Sequence, residues 1–341
     1  MMADQPTCTM PPESPERQLG ALGTPGSHPE ELRGCLGTLP LAVLDGNVDD
    51  LLEGFLAPGP VTTRHHAGEC LARAEGWLFG SIPLDETDGL IHATETAYRQ
   101  LFARLHGENT PHLWRVWHYV PAINAIDTTT RLERYRLFNL GRANAFEWAN
   151  QGPAQSAPAA CALGSPRDTT GRVIYLAADT PAERIENPRQ VSAWDYPERY
   201  GPKSPLFARA ALARGKRHDW LFISGTASIV GHETRHHGDV VTQTRETIAN
   251  LEAVLQEANG KRRPSESQFA WDNGSLLRVY LRHPEHLPLV RDEIDHWLDS
   301  RARRVYLQAD ICRTDLLVEI EATLRQTRSG AEAARDAWPE L

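Results

Sequence analysis

This chain of 341 residues repeats itself, and the repeat limits its possible folds more than any other feature. Trp77-Leu78-Phe79-Gly80-Ser81 returns 143 residues later as Trp220-Leu221-Phe222-Ile223-Ser224. A helical pattern follows each copy, Ile91–Leu101 in the first and Asp239–Leu251 in the second. The second runs on, with apolar residues at 241, 248, 251 and 255 on one face. Trp114-Arg115-Val116-Trp117 before Pro121 answers Leu277-Arg278-Val279-Tyr280 before Pro284, each a strand running into a proline break. Ile174-Tyr175-Leu176-Ala177-Ala178 answers Val318-Glu319-Ile320-Glu321-Ala322, which sets Tyr175 where the second copy has Glu319. Four pairings in one order predict a duplicated α/β (α+β) unit, a β-sheet plus helices in each half, with loops free to differ in length.

The division that follows is 36–180 for a first, degenerate half and 220–328 for the second. Residues 1–35 are expected to be a flexible lead, because 1–30 are rich in Pro, Gly and Ser, with structure beginning near Leu36–Leu44. Residues 329–341 form a tail. Between the halves, 181–219 hold too many prolines for a long helix or an interior strand. This connecting arm carries Arg189, Trp194, Tyr196, Arg199, Tyr200, Lys203 and Arg209, phenols and cations suited to lining an anion site.

Bulk properties exclude several classes. A formal net charge of −9 argues against a general nucleic-acid binder, though not against a local basic pocket. No run of 18 apolar residues is present, which leaves no candidate membrane span. The first thirty residues lack the basic start and apolar core of a signal peptide. Five scattered cysteines without a CxxC spacing predict neither a disulfide framework nor a zinc ribbon, but reduced thiols in a cytoplasmic protein.

The chemistry concentrates in Arg304–Leu324, where Val305–Ile311 and Leu316–Ile320 read as two strands joined by a tight connection. Glu319 and Glu321 lie two apart on one face of the second. A carboxylate among Leu, Val and Ile is expensive unless it is paired or chemically employed. His232-Glu233-Thr234-Arg235-His236 fits the H-E-x-x-H zinc pattern, but that chemistry needs a helix, and Gly238 with a capping Asp239 starts the helix after the motif. No GxGxxG, P-loop or GxSxG occurs. Ser224-Gly225-Thr226-Ala227 ends a strand where a glycine lets backbone approach a ring-shaped ligand. Cys312, without a nearby histidine in the sequence, reads as a pocket wall rather than a nucleophile.

The order of elements, with LFISG, QTRETIANLEAVL and VEIEA, resembles the RidA (YjgF-like, chorismate-mutase-like) fold. ENPRQVSAWDYPERYGPKSP, LFISGTASIVGHETRHHGD and YLQADICRTDLLVEIEA resemble more closely the chorismatases, chorismate-cleaving enzymes built on that fold, from about residue 40 onward. The resemblance implies that Glu319 is the catalytic acid and that Arg304, by ungapped counting from Glu319, matches the fold family's carboxylate-binding arginine. Gly225 and Cys312 resemble the pair of the 3-hydroxybenzoate-forming subtype. A related subtype also makes 4-hydroxybenzoate, and chorismate hydrolases carry Ala in place of the Gly.

Chorismate is a dianion, so fixed cations are expected at Arg142, Arg304 and in the arm around Tyr196, Tyr200 and Lys203. Glu319 would protonate the enolpyruvyl group while the substrate's C4 hydroxyl displaces it at C3, and the epoxide would open to 3-hydroxybenzoate and pyruvate. No metal or organic cofactor is expected, and the fused double copy is expected to work as a monomer. The competing readings are a chorismate hydrolase giving a dihydroxy-cyclohexadiene acid, an imine deaminase, and a non-catalytic binder of aromatic acids.

Overall fold

The computed structural model describes residues 17–24, 34–51, 54–57, 59–152, 156–215, 217–298 and 301–328. Strands β1 (Arg17–Gly23), β2 (Cys35–Thr38) and β3 (Ala42–Asp45), a one-turn helix α1 (Val48–Leu51) and β4 (Phe55–Ala57) come first. The first half continues with β5 (Thr62–His66), β6 (Glu69–Ala74), β7 (Trp77–Pro83), α2 (Leu90–Gly107) and β8 (His112–Pro121). It closes with α3 (Arg134–Trp148), β9 (Ala159–Ser165) and β10 (Arg172–Ala178). After β11 (Glu183–Ile185) and β12 (Ala210–Arg214) come β13 (His218–Ala227), the hairpin β14 (Ile229–Val230) and β15 (Glu233–Thr234), then α4 (Val240–Gly260). β16 (Ser275–Leu281), α5 (Leu287–Trp297), β17 (Arg303–Gln308), β18 (Asp310–Ile311) and β19 (Val318–Thr327) complete the second half.

Two seven-stranded sheets, ordered β18-β9-β8-β10-β7-β6-β5 and β11-β12-β13-β19-β16-β17-β3, pack face to face. Trp114, Trp117, Trp220, Phe222 and Tyr280 fill the space between them, with Leu19, Leu22 and Phe55 of a small β2-β1-β4 sheet. α2 and α3 cover the outer face of the first sheet, and α4 and α5 that of the second. The doubled sheet-plus-helices architecture read from the repeat is thus present, and burial on both faces explains why its strands are continuously apolar.

Several boundaries move. Residues 17–23 are not a flexible lead: Leu19, Ala21 and Leu22 are fully buried, and the strand that carries them pairs with β2 and β4. Residues 1–16 and 25–33 of that lead, and the 329–341 tail, lie outside the described residues. The arm is no separate unit, since β11 and β12 extend the second sheet. Strands also cross between halves, β3 pairing with β17 and β18 with β9. The expectation of reduced thiols fails at Cys35 and Cys70, which form a disulfide tying β2 of the small sheet to β6 of the first large one; the cysteine count could not reveal that these two strands, 35 residues apart, pack together.

The last pairing of the repeat slips by one residue. Tyr175 points to the helix side with Val116, while Ile174 and Leu176 face the other sheet. In β19 it is Val318 and Ile320 that face the helices, which turns Glu319 and Glu321 inward. One residue of register exchanges every side chain between faces, so Tyr175 does not occupy the place of Glu319.

Candidate active site

β13 runs beside β19 until its pairing breaks between Ile223 and Thr226. Ser224 is anchored at the break: its amide donates to the Arg209 carbonyl, its hydroxyl to that of Ala208, and the Ala160 amide of β9 donates to its Oγ. A bulge of this kind re-aims the backbone, and here it presents Gly225 to Glu319. A β-carbon on Gly225 would overlap Glu319 Oε1, lie 2.8 Å from its carboxyl carbon and stand 3.1 Å from Cys161 Cβ.

The two β19 carboxyls are both buried, yet their surroundings differ. Glu321 Oε1 accepts from Trp117 Nε1 at 3.1 Å, an Arg278 guanidinium nitrogen at 3.1 Å and the Tyr280 hydroxyl at 3.0 Å, and Oε2 accepts from Arg115. Burial alone would raise its pKa, but the Arg115 and Arg278 guanidiniums outweigh it and hold the carboxyl below the ordinary range. Glu319 receives no side-chain hydrogen bond among the described residues. Its burial, reinforced by the Glu321 charge and only partly offset by Arg115, pushes its pKa up to about 8. One carboxyl is thereby ionised and its neighbour protonated near neutrality.

Cys312 lies half-buried on the connection into β19, its thiol pushed up to about 12 by desolvation and then by the Glu319 charge. Tyr135 of α3 feels both Cys312 and Arg142, its pKa raised by burial and then by Cys312, and lowered in part by Arg142. Arg142, also on α3, is only 2% exposed, and its Nε has no partner among the described residues. An unsatisfied buried guanidinium nitrogen is costly without an anion to meet it.

From the arm come Tyr196, whose hydroxyl accepts from Arg209 at 2.9 Å, and Tyr200, whose hydroxyl donates to the His232 carbonyl at 2.7 Å. Arg313 is stacked over both rings, 4.1 Å from the Tyr200 centroid and 5.3 Å from that of Tyr196. A groove of about 450 Å3 with Arg199, Arg235 and Arg313 in its wall adjoins this stack.

Glu319, Gly225 and Cys312 therefore come together, with Arg142 linked through Tyr135, and Tyr196 and Tyr200 gathered around the neighbouring Arg313. Two candidates do not join them. Arg304 is on the helix-covered face of the second sheet, paired with Asp295 of α5 at 3.0 Å; ungapped counting from Glu319 ignored the β18 excursion into the other sheet. Lys203 is half exposed and pairs with Glu147 at 2.5 Å on the surface. The H-E-x-x-H look-alike forms the β15 hairpin and its turn, and α4 begins after it with Asp239 capping Val241 and Thr242, as expected.

Arg115, Arg278, Cys161, Tyr135 and Arg313 escaped the sequence reading. For Arg115 and Arg278 a signal existed, an arginine inside an apolar strand at matched positions of the repeat. Arg313 adjoins Cys312 in sequence but has no pattern of its own.

The family model "Chorismatase FkbO/Hyg5-like, N-terminal" matches residues 53–178. A chorismatase of Streptomyces rapamycinicus is 36% identical over 280 residues, 81% of this chain and 83% of its own length. A 3-hydroxybenzoate synthase of Streptomyces hygroscopicus is 38% identical over 251 residues, 72% of each chain. A chorismatase crystal structure superposes with a TM-score of 0.80 at 32% identity, covering 93% of this chain and 96% of that one.

Proposed function

From the premise that this chain belongs to the chorismatase family, we propose that it converts chorismate to 3-hydroxybenzoate and pyruvate with Glu319 as general acid. The observation that carries the reading is the contrast between two buried carboxyls on one strand, Glu321 held by four donors and Glu319 by none among the described residues. A free glutamic acid with a pKa of 4.5 would be only about 0.3% protonated at pH 7. At about 8, roughly nine-tenths of Glu319 carries its proton.

The reaction runs as a closed cycle. Glu319 gives its proton to the terminal methylene carbon of the enolpyruvyl ether. The C4 hydroxyl oxygen bonds to C3 as the C3–O ether bond breaks, pyruvate leaves, and the hydroxyl proton returns to Glu319. Cleavage of the C4–O bond of the resulting epoxide and loss of the C3 proton aromatise the ring with oxygen retained at C3. Arg142 and Arg313 are the cations offered to the two substrate carboxylates, the planar guanidinium suiting a bidentate fork. Gly225 gives the ring its approach to Glu319, and the protonated thiols of Cys161 and Cys312 keep water from the reacting carbon.

Each copy of the fused double unit packs its sheet against the other within one chain, and on that ground we propose a monomer. No helix among the described residues is long and apolar enough to cross a membrane, and we place the enzyme in the cytoplasm, where chorismate would be met. Incubation of purified protein with chorismate, with products identified by chromatography and mass, tests the reading. An aromatic 3-hydroxy acid with equimolar pyruvate is the expected result; a non-aromatic dihydroxy acid would replace the internal nucleophile by water, and unconsumed chorismate would overturn the assignment.

A further inference from the structure

The first half has no carboxyl in the last strand of its repeat, yet its strands β8 and β9 reach the acid of the other half. β8 brings Arg115 and Trp117 to Glu321, and β9 brings Cys161 to both carboxyls. The partition of donors on Glu321 is uneven. Trp117, Arg278 and Tyr280 all donate to Oε1, and Arg115 is the only nitrogen or oxygen donor to Oε2 among the described residues.

We propose that Arg115 is a positioning residue for the acid, pairing with Glu321 across the two sheets so that Glu321 stays ionised and Glu319 carries the proton. The proposal rests on Glu319 being the acid. Two carboxyls at i and i+2 of a strand lie about 7 Å apart on one face, and in a water-poor interior they do not readily ionise together. Which one keeps the proton is decided by the donors each can reach. With Arg115 absent, Oε2 of Glu321 has no cation and becomes a site for a second proton.

The surrounding groups leave the choice to this pair. Facing Glu319 are Glu321 on its own strand, Arg115 of β8, Cys161 of β9 and Cys312 of the connection into β19. Gly225 of β13 brings no charge. Facing Glu321 are Arg115, Trp117 and Tyr119 of β8, Cys161 of β9, and Arg278 and Tyr280 of β16. The tyrosines and thiols are all held neutral by burial, so the charges that remain are the two guanidiniums and Glu321.

Infrared difference spectra of the free protein at neutral pH read the protonated carboxyls directly. The wild type should show one buried protonated-carboxyl band that Glu319→Gln removes. Arg115→Met should add a second band, lost in the Arg115→Met, Glu321→Gln double variant, whereas Arg115→Lys, which keeps the charge, should not add it. Absence of a second band in Arg115→Met overturns the proposal. Should that variant fail to fold, Glu321→Gln decides instead. It should move the basic limb of kcat/KM down by about one pH unit or more, and an unmoved limb overturns the proposal equally. The infrared readout needs no substrate, so chorismate left untouched by wild type would refute the reaction while these bands still decide Arg115.

Discussion

The α-carbon of Gly225 stands so near Glu319 that a β-carbon on it would overlap Oε1 of the carboxyl, with Cys161 closing the other side at 3.1 Å. The carboxyl is the movable end of a side chain, so Gly225→Ala should fold and instead swing the acid aside. Displacement by an ångström at the reacting atoms costs of the order of 100-fold in rate. The shifted carboxyl also opens room for water beside the ring. We therefore expect kcat/KM to fall by about 10- to 100-fold and a non-aromatic dihydroxy acid to appear beside 3-hydroxybenzoate. Chromatography of the products checks this; unchanged yield and product would remove Gly225 from the specificity argument.

Glu319 should leave a signature in both rate and stability. Its pKa is raised in the folded protein to about 8 from 4.5, so the folded state binds the proton more tightly than the unfolded one. Its contribution to stability is fully present below pH 4.5 and is lost as pH rises through about 8. The loss is at most about 5 kcal/mol. Glu319→Gln keeps the shape and removes the titration, so its urea midpoint should lose less between pH 5 and 9 than that of the wild type. Pyruvate release should drop by about 1,000-fold, within the usual range for general acid catalysis. Wild-type kcat/KM should fall on the basic side near pH 8. A variant that turns over normally would sink the mechanism.

What could be read from the sequence was what repeats or what is locally odd. The WLF and LFISG strands, the two long helices and the Asp239 cap followed from periodicity and capping, and the expense of a carboxyl in an apolar strand marked Glu319 and Glu321 alike. What depends on partners far away in the chain did not follow. Glu321 could be seen beside Glu319 on one strand face, but its ion pair with Arg115, 206 residues earlier, could not. The face of α4 was misjudged because its buried side includes Gln243, Thr244, Thr247 and Asn250. Gln243 donates to the Asp315 carbonyl and Asn250 to those of Ala227 and Ile229, so polar residues inside that helix hold the loops around the site. A hydrophobic period cannot report residues buried for their hydrogen bonds.

The Cys35–Cys70 disulfide closes 35 residues and joins the small β2-β1-β4 sheet to β6. In the chain-entropy account a loop of this size is worth about 4 kcal/mol. Reductant, or Cys70→Ala, should lower the melting temperature by about 5 °C while leaving turnover at 25 °C within twofold, since no side chain of the site belongs to that layer. Unreduced, denatured protein should show two fewer reactive thiols than reduced protein. Equal thiol counts would mean that the bond does not form.

A relay of hydrogen bonds stands behind Arg142. Its guanidinium donates to Asn139 Oδ1 at 3.4 Å and its charge acts on the nearby Tyr98 hydroxyl, which donates to His118 Nε2 at 2.5 Å, and His118 Nδ1 donates to the Cys161 carbonyl at 2.5 Å. Burial and the nearby Arg142 charge hold the His118 pKa well below its ordinary value, so the ring is neutral and its single proton lies on Nδ1. The direction of every bond in the relay is thereby fixed, and with it the side of the Tyr98 hydroxyl that meets the Arg142 charge. Tyr98→Phe removes the middle link without leaving a cavity. Arg142 then loses a polar neighbour, and His118 Nε2 is left buried without a donor, a cost of about 1–3 kcal/mol in stability. If Arg142 holds a substrate carboxylate, KM for chorismate should rise about 3- to 10-fold with kcat within twofold and the pH profile unmoved, because nothing at Glu319 changes. Steady-state kinetics beside a melting curve separates the alternatives. A fall in melting temperature with KM unchanged would make the relay purely structural and take Arg142 out of substrate binding.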